Sequence, residues 1–290
     1  MKKAVFEGVA TALVTPFKNG TVDYPVLEKL LDFQLDGGVR TVVICGTTGE
    51  SAAMSTEEQL GAIAHAVQYT AGRCQIIAGT GSNNTAHCLE LSRVAASLGA
   101  AALLIVTPYY NKCTQAGLIA HYTAIADAVP VPVIVYNVPG RTGVDASVET
   151  YRALSRHPNI NGVKEASPNA AKTARTVDAC GDDFFVWSGC DELAVPLMSV
   201  GARGLVSVLS NVRPKQTVQM IGSCLSGDFR FAGKLQTSLM PLIDALFSEV
   251  NPIPVKRALA LMGFDVGVPR LPLTPLTQAN EERLRGLLTS

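Results

Sequence analysis

Residues 1–212 contain eight short apolar runs, and each run is followed by an amphipathic stretch of helical length. Short buried strands that alternate with helices are typical of βα units and a parallel sheet. Eight such units are the number in a (β/α)8 TIM barrel. Asp23 is predicted to cap the first helix, and Ser55 with Glu58 to form a capping box on the second. The predicted strands are 10–14, 41–45, 75–78, 102–106, 132–136, 160–164, 184–187 and 204–208.

The rival architecture, a doubly wound sheet, has fewer strands and a glycine-rich phosphate turn after the first one. Here residues 15–17 read Thr-Pro-Phe, with no Gly-x-Gly-x-x-Gly pattern. From residue 213 onward the strand-like runs stop, and helical segments are broken at residues 251–254 and 269–275. We therefore predict a catalytic (β/α)8 barrel at 1–212 and a C-terminal helical region at 213–290.

The composition limits the classes of partner. The chain is 48% hydrophobic and 17% charged, which is enough apolar material for a large core. Its 24 basic and 24 acidic residues balance, and no basic cluster indicates nucleic acid or an anionic membrane surface. No apolar run could span a bilayer, and no signal core follows the first residue. Seven scattered cysteines without a CxxC pair favour a reducing compartment, so we expect a cytoplasmic protein.

Lys164 is the leading candidate for chemistry, because reactive groups in a barrel lie at the carboxyl ends of strands. It ends the sixth predicted strand, and its same-face neighbours Gly162 and Ala166 are small. An apolar interior favours the neutral amine over the ammonium. A neutral amine attacks a carbonyl and forms a Schiff base. The alternative is an ion pair with an acid such as Glu165, which alternation should point to the opposite face.

Tyr136 ends the fifth predicted strand, and Arg141 follows it on a turn built from Pro139, Gly140 and Gly143. Turns of this composition fix an unusual backbone path. A phenol and a permanent cation on one such loop suit an anionic ligand that exchanges protons. The alternative is a half-buried tyrosine with a solvated arginine.

Two further loops that follow strands carry hydroxyl groups. Thr47 and Thr48, within Gly-Thr-Thr-Gly-Glu-Ser (46–51), offer hydroxyl and N–H donors to a carboxylate or a proton chain. This loop lacks the lysine of a P-loop, and a plain turn with Glu50 capping a helix is the alternative. Tyr110 follows the fourth predicted strand and is either a reactive phenol or an interface residue. The histidines fall on separate helix-like stretches, so no metal site is predicted.

Five segments together resemble the dihydrodipicolinate synthase family, within the pyruvate-dependent class I aldolases that include N-acetylneuraminate lyase. They are 46–51 (GTTGES), 107–112 (TPYYNK), 136–143 (YNVPGRTG), 162–166 (GVKEA) and 251–256 (NPIPVK). The resemblance covers nearly the whole chain, and GTTGES and YNVPGRTG are its most specific parts. It implies the condensation of pyruvate with L-aspartate 4-semialdehyde on the route to diaminopimelate and lysine. It also implies a homotetramer, built as a pair of tight dimers, that needs no cofactor.

The resemblance implies roles for individual residues. Lys164 would form the imine with pyruvate. Tyr136, Thr48 and Tyr110 would form a proton relay, with Tyr110 reaching in from a neighbouring subunit. Arg141 would bind the carboxylate of the semialdehyde, because a guanidinium holds a carboxylate through two parallel N–H bonds. The positions that match the family's substrate-binding groups are Thr47, Thr48, Arg141, Gly189 and Val206.

Two features depart from the family pattern. Cys190 stands where many relatives have an aspartate, which changes the polarity beside the pocket. Lysine-inhibited relatives bind lysine in an interface cleft, where His87 here replaces an acid and Gln59 replaces a histidine. An acid that would pair with an ammonium is therefore missing, and we expect weak or absent feedback by lysine. The positions that match this effector cleft are Ser51, Ala52, Gln59, Asn83, His87 and Tyr109.

Two rival functions remain open. Another pyruvate-dependent aldolase could split a sugar acid or a sialic acid, although Arg141 suits a carboxylate better than a polyol. A non-catalytic sensor could keep the barrel and the pyruvate pocket. Such a sensor would have no need of a full relay of Lys164, Tyr136, Tyr110 and both threonines.

Overall fold

Eight parallel strands close into a barrel in the computed structural model, which describes residues 1–289. The strands follow one another around the barrel in chain order, and the first pairs with the last through Gly8 and Gly204. This arrangement confirms the predicted (β/α)8 fold. The strands are β1 (Gly8–Ala12), β2 (Thr41–Ile44), β3 (Gln75–Gly79), β4 (Ala102–Val106), β5 (Val133–Asn137), β6 (Ile160–Glu165), β7 (Phe185–Ser188) and β8 (Gly204–Ser207).

A helix follows each strand, and the predicted caps are confirmed. The Asp23 carboxylate accepts from the Val26 N–H, and Ser55 and Glu58 form a reciprocal capping box. None of the helices in the described part of the chain is long and apolar enough to cross a membrane. The helices around the barrel are α1 (Tyr24–Asp36), α2 (Thr56–Thr70), α3 (Thr85–Ser97), α4 (Gln115–Ala128), α5 (Val148–Leu154), α6 (Ala170–Cys180), α7 (Ala194–Ser199) and α8 (Pro214–Leu225).

Three more helices complete the chain: α9 (Phe229–Leu246), α10 (Ile253–Leu261) and α11 (Gln278–Thr289). They pack on one another, and α9 also contacts α7 and α8. The helix α8 contacts β1 and α1, so it completes the ring of helices around the barrel although it follows residue 212. A helix that closes a barrel and a helix appended to it have the same amphipathic pattern. The division at 212/213 therefore stays a prediction about domains.

The first strand differs from its predicted range. It spans Gly8–Ala12, two residues earlier than predicted at each end, because its pairing with β8 begins at Gly8 and its pairing with β2 ends at Ala12. Leu13 and Val14 remain buried after the strand has ended, so hydrophobicity could not mark its end. A short antiparallel hairpin (Phe17–Lys18 with Thr21–Val22) follows and was not predicted.

Side chains inside the barrel form a core separate from the one between strands and helices. Trp187 is fully buried there, and its indole N–H donates to the Phe6 carbonyl at 3.1 Å. Phe6 stacks on this indole, which fills the amino-terminal end of the barrel. The open end is therefore the carboxyl end of the strands, where catalytic groups of this fold lie. The inner core consists of Phe6, Ala10, Ala12, Val43, Ile77, Ala102, Leu104, Ile134, Tyr136, Val138, Phe185, Trp187 and Val206.

Candidate active site

Lys164 and Tyr136 are neighbours inside the barrel. They are paired residues on β6 and β5, and the Lys164 Nζ atom lies 3.9 Å from the centre of the Tyr136 ring. Both side chains are buried, with 6% and 7% of their surface exposed. Within residues 1–289, Lys164 makes no ion pair and no side-chain hydrogen bond. Its amine is therefore free to react with a ligand carbonyl.

Glu165 points away from the barrel interior, as strand alternation predicts. Its carboxylate accepts from the Asn137 amide and the Tyr151 hydroxyl, each at 2.8 Å, and lies 3.3 Å from the Lys172 Nζ atom. The alternative pairing of Lys164 with Glu165 is therefore wrong. The bond between Asn137 and Glu165 also connects the ends of β5 and β6, directly beside the phenol and the amine.

Thr47 and Thr48 lie on a tight turn after β2, closed by the Gly49 N–H donating to the Gly46 carbonyl at 3.0 Å. Thr48 is 3% exposed, and its hydroxyl accepts from the Asn251 amide at 3.0 Å. Neither threonine N–H donates to a backbone acceptor within residues 1–289. Successive free N–H groups in a turn make a concavity that suits an anion such as a carboxylate.

Glu50 does not cap the short helix that follows it (Ser51–Ala53). Its carboxylate instead lies 2.8 Å from the Lys256 Nζ atom and accepts from the Arg270 N–H at 2.8 Å. The side chains of Glu50 and Lys256 are each 1% exposed. This buried ion pair attaches the threonine turn to the C-terminal helical region.

The segment after β5 forms one helical turn (Pro139–Thr142), and Gly143 ends it with φ 73°, a left-handed value that favours glycine. Arg141 lies on this turn and is exposed. Its guanidinium is 3.5 Å from the Asn251 carbonyl oxygen. Arg141 and Thr47 both line a cavity of about 420 Å³, whose lining does not include the buried lysine or tyrosine. The cation therefore stands at the rim of a space large enough for a small molecule.

Of the three remaining predicted site residues, two lie beside the buried lysine or tyrosine and one lies on the surface. A Cβ on Gly189 would lie 3.0 Å from the Lys164 Cε atom, so this glycine leaves space beside the amine. Val206 belongs to the inner core together with Tyr136. Tyr110, in contrast, is 88% exposed and has φ 75°. The single chain brings Lys164, Tyr136, Gly189 and Val206 together and leaves Tyr110 on the surface.

Cys190 follows Ser188 and Gly189 at the carboxyl end of β7. Burial, together with the nearby Glu192 carboxylate, raises the pKa of the Cys190 thiol to about 12. The thiol is therefore neutral at pH 7, where an aspartate would carry a charge. Its backbone N–H donates to the Ser188 hydroxyl at 3.2 Å, so the loop keeps its turn with a cysteine.

The cavity of about 420 Å³ is also lined by five of the six predicted effector positions, Ser51, Ala52, Gln59, His87 and Tyr109. Asn83 lies beside it, because its amide donates to the Tyr109 carbonyl at 3.2 Å. The Gln59 amide, which also lines the cavity, donates to the Ser51 and Met54 carbonyls at 3.0 and 3.2 Å. The donors of Gln59 are therefore engaged by the protein. The cavity itself carries no carboxylate among its lining residues.

We predict that lysine inhibits this chain weakly or not at all. An ammonium in the cavity would find no carboxylate there, and a charge-assisted hydrogen bond is worth about 1.5–3 kcal/mol. Activity should be measured at saturating pyruvate over a series of lysine concentrations. The variant His87→Glu supplies the missing acid and should increase inhibition. Half-inhibition of the natural chain at submillimolar lysine would contradict the prediction.

One residue near the site was not predicted from the sequence. Asn251 contacts both the Thr48 hydroxyl and the Arg141 guanidinium. The sequence marked 251–256 as a segment of the family resemblance and 251–254 as a break between helices, but it gave Asn251 no role in the site. Its nearness to the threonine turn depends on how the C-terminal helices pack.

Fold and site together define a (β/α)8-barrel enzyme of the aldolase class, with a buried lysine at the end of the sixth strand. The pattern of the dihydrodipicolinate synthetase family matches residues 5–290. The 4-hydroxy-tetrahydrodipicolinate synthase of Caldicellulosiruptor saccharolyticus is 48% identical over 285 residues, which cover 98% of this chain and 96% of that relative. The chain belongs to the dihydrodipicolinate synthetase family.

Solved structures agree with this assignment. The chloride-inhibited dihydrodipicolinate synthase from Acinetobacter baumannii, complexed with pyruvate, superposes with a TM-score of 0.95 at 44% identity and 98% coverage of both chains. The DHDPS from Cyanidioschyzon merolae with lysine bound superposes with a TM-score of 0.96 at 42% identity, covering 99% of this chain and 98% of the other.

Proposed function

We propose that this chain condenses pyruvate with L-aspartate 4-semialdehyde through an imine on Lys164, and so forms 4-hydroxy-tetrahydrodipicolinate. The observation that carries the proposal is the buried Lys164 amine, without an acidic partner in residues 1–289 and 3.9 Å from the Tyr136 ring. The name of the Caldicellulosiruptor relative and the pyruvate complex of the Acinetobacter relative support it.

The first half of the reaction activates pyruvate. The Lys164 amine attacks the keto carbon, a carbon–nitrogen bond forms, and the carbonyl oxygen leaves as water. The imine then withdraws electrons, so the methyl group loses a proton and becomes a nucleophilic enamine. The free N–H groups of Thr47 and Thr48 hold the pyruvate carboxylate during these steps.

The second half forms the carbon–carbon bond. The enamine carbon attacks the aldehyde carbon of the semialdehyde, and the resulting alkoxide takes up a proton. The amino group of the same substrate then attacks the imine carbon, closes the ring and displaces the Lys164 amine. Arg141 binds the carboxylate of the semialdehyde at the rim of the site. One water leaves per turnover, at imine formation.

Each of these steps moves a proton onto or off the reacting atoms, which needs groups of matched acidity within hydrogen-bond reach. Tyr136, Thr48 and Tyr110 form this relay. The 88% exposure of Tyr110 supports its insertion into the site of a second copy. The assembly in the proposal is a homotetramer. All seven cysteines are unpaired, which supports a reducing, cytoplasmic location.

Turnover of two substrate pairs tests the proposal. We expect the chain to consume pyruvate with aspartate semialdehyde and to leave sialic acid intact. Arg141→Ala should raise the KM for the semialdehyde roughly 10- to 100-fold, the scale of a charge-assisted hydrogen bond of about 1.5–3 kcal/mol. The same variant should still form the pyruvate imine, because Arg141 does not touch the lysine.

The matched control is Arg152→Ala, an exposed arginine on α5 outside the cavity, which should leave the KM unchanged. Cleavage of sialic acid together with no condensation would assign the chain to the other aldolase reaction. Binding of pyruvate without either reaction would make it a sensor.

A further inference from the structure

Asn251 precedes α10 and is separated by 203 residues from Thr48, yet the two side chains meet. The Asn251 Nδ2 group donates to the Thr48 Oγ1 atom at 3.0 Å, and the two residues are 6% and 3% exposed. The backbone carbonyl of Asn251 lies 3.5 Å from the Arg141 guanidinium. One residue of the C-terminal region therefore contacts a relay hydroxyl and the cation that binds the second substrate.

Asn251 leaves one end of its side-chain amide without a hydrogen bond, unlike the structural residue Asn161. Asn161 is also buried, and it uses both ends of its amide: Oδ1 accepts from the Val5 N–H and Nδ2 donates to the Lys3 carbonyl. The Oδ1 atom of Asn251 is buried with no hydrogen-bond partner in residues 1–289. A buried unsatisfied group costs about 1–3 kcal/mol, so its retention calls for a role other than stability.

In the hydrogen bond between Asn251 and Thr48, the amide is the donor and the hydroxyl is the acceptor. A threonine hydroxyl carries one proton and two acceptor lone pairs. Because the hydroxyl of Thr48 accepts from Asn251, its own proton stays available for a different acceptor. No such acceptor for the Thr48 hydroxyl is present within residues 1–289, so the proton is available to a ligand or to the next group of the relay.

We propose that Asn251 is a positioning residue that fixes the direction of the Thr48 hydroxyl, so that the hydroxyl passes its proton toward the reacting atoms. The inference rests on the proposed function, in which Thr48 is part of the relay. Asn251 itself transfers no proton. An aspartate at this position would accept the Thr48 proton and reverse the direction of the hydroxyl.

The variants Asn251→Asp and Asn251→Ala test the inference by steady-state kinetics. Each should lower kcat roughly 10- to 100-fold, within the range of a general acid–base contribution, while KM for both substrates stays nearly unchanged. The control Asn161→Ala removes a buried asparagine at the opposite end of the barrel. It should lower the stability of the fold and leave kcat unchanged. An unchanged kcat in a folded Asn251 variant would overturn the inference.

A double-mutant cycle with Thr48→Val separates positioning from general damage. If Asn251 acts through the hydroxyl, adding Asn251→Ala or Asn251→Asp to Thr48→Val should lower kcat no further. The same fold-loss in both backgrounds would overturn the inference. The two Asn251 variants differ in size and charge, and the cycle can be completed with either one if the other does not fold.

Failure of the proposed function can be distinguished from failure of the inference, because the natural chain itself would then not condense the two substrates. In that case the rate at which borohydride traps the pyruvate imine tests the inference. Slower trapping in Asn251→Asp than in the natural chain supports the inference, provided that Thr48→Val and the double variant trap the imine at the same rate. Equal trapping rates in the natural chain and Asn251→Asp overturn it.

Discussion

Lys164→Ala should remove the pyruvate imine and lower turnover on the order of 10⁴- to 10⁶-fold, the scale on which loss of a covalent nucleophile acts. The structure supplies the reason: the amine is buried beside Tyr136, whereas the other two buried lysines among residues 1–289, Lys172 and Lys256, are paired with carboxylates. Borohydride reduction in the presence of pyruvate, followed by peptide mapping, measures the adduct. We expect the adduct on Lys164 in the natural chain and none in the variant.

Lys164→Arg serves as the second variant, because it keeps a cation in the barrel and removes the nucleophilic amine. It should be as inactive as Lys164→Ala if covalent chemistry, and not charge, is what Lys164 provides. An adduct on another lysine, or an adduct that persists in Lys164→Ala, would contradict the mechanism.

Lys256→Met should lower the free energy of unfolding by about 3–5 kcal/mol, because it leaves the Glu50 carboxylate buried without its cation. The side chains of this pair are both 1% exposed, and the Lys256 Nζ atom also lies 4.5 Å from the centre of the Phe17 ring. Glu50 has φ 58°, a left-handed value that costs energy in a residue other than glycine, so contacts must hold it there. Urea titration measures the loss.

Two comparisons identify the ion pair as the cause. Lys29→Met, on the exposed face of α1, should change stability by less than about 0.5 kcal/mol. The double variant Glu50→Gln with Lys256→Met removes both charges and should be more stable than Lys256→Met alone. A double variant less stable than the single one would show that the unpaired Glu50 carboxylate is not the cause of the loss.

Much of the site could be predicted because of how a barrel is built. Lys164 and Tyr136 end consecutive strands, and consecutive strands are neighbours in the barrel. A side-chain period of two then places both groups on the inner face and Glu165 on the outer face. Strand pattern and alternation were enough to bring the amine and the phenol together, before any contact was known.

The rest depended on packing that no local pattern encodes. The Asn251 amide and the Lys256 amine reach the threonine turn from 203 and 206 residues away. Their sequence segment reads as a break between two helices and as part of the family resemblance, and neither observation places it against the threonine turn. Tyr110 is a further case, since a phenol that is 88% exposed in one chain can complete a site only in an assembly.

The number and order of the strands, the fold class and the inward-facing lysine at the end of β6 could be inferred from the sequence alone, because they follow from periodic patterns of two and 3.6 residues. How the threonine turn is held depends on tertiary contacts. Glu50 is buried against Lys256, and Thr48 accepts from Asn251, only because the last helices pack across the carboxyl end of the barrel. Such contacts arise from the closure of the whole chain, and a short-range pattern carries no information about them.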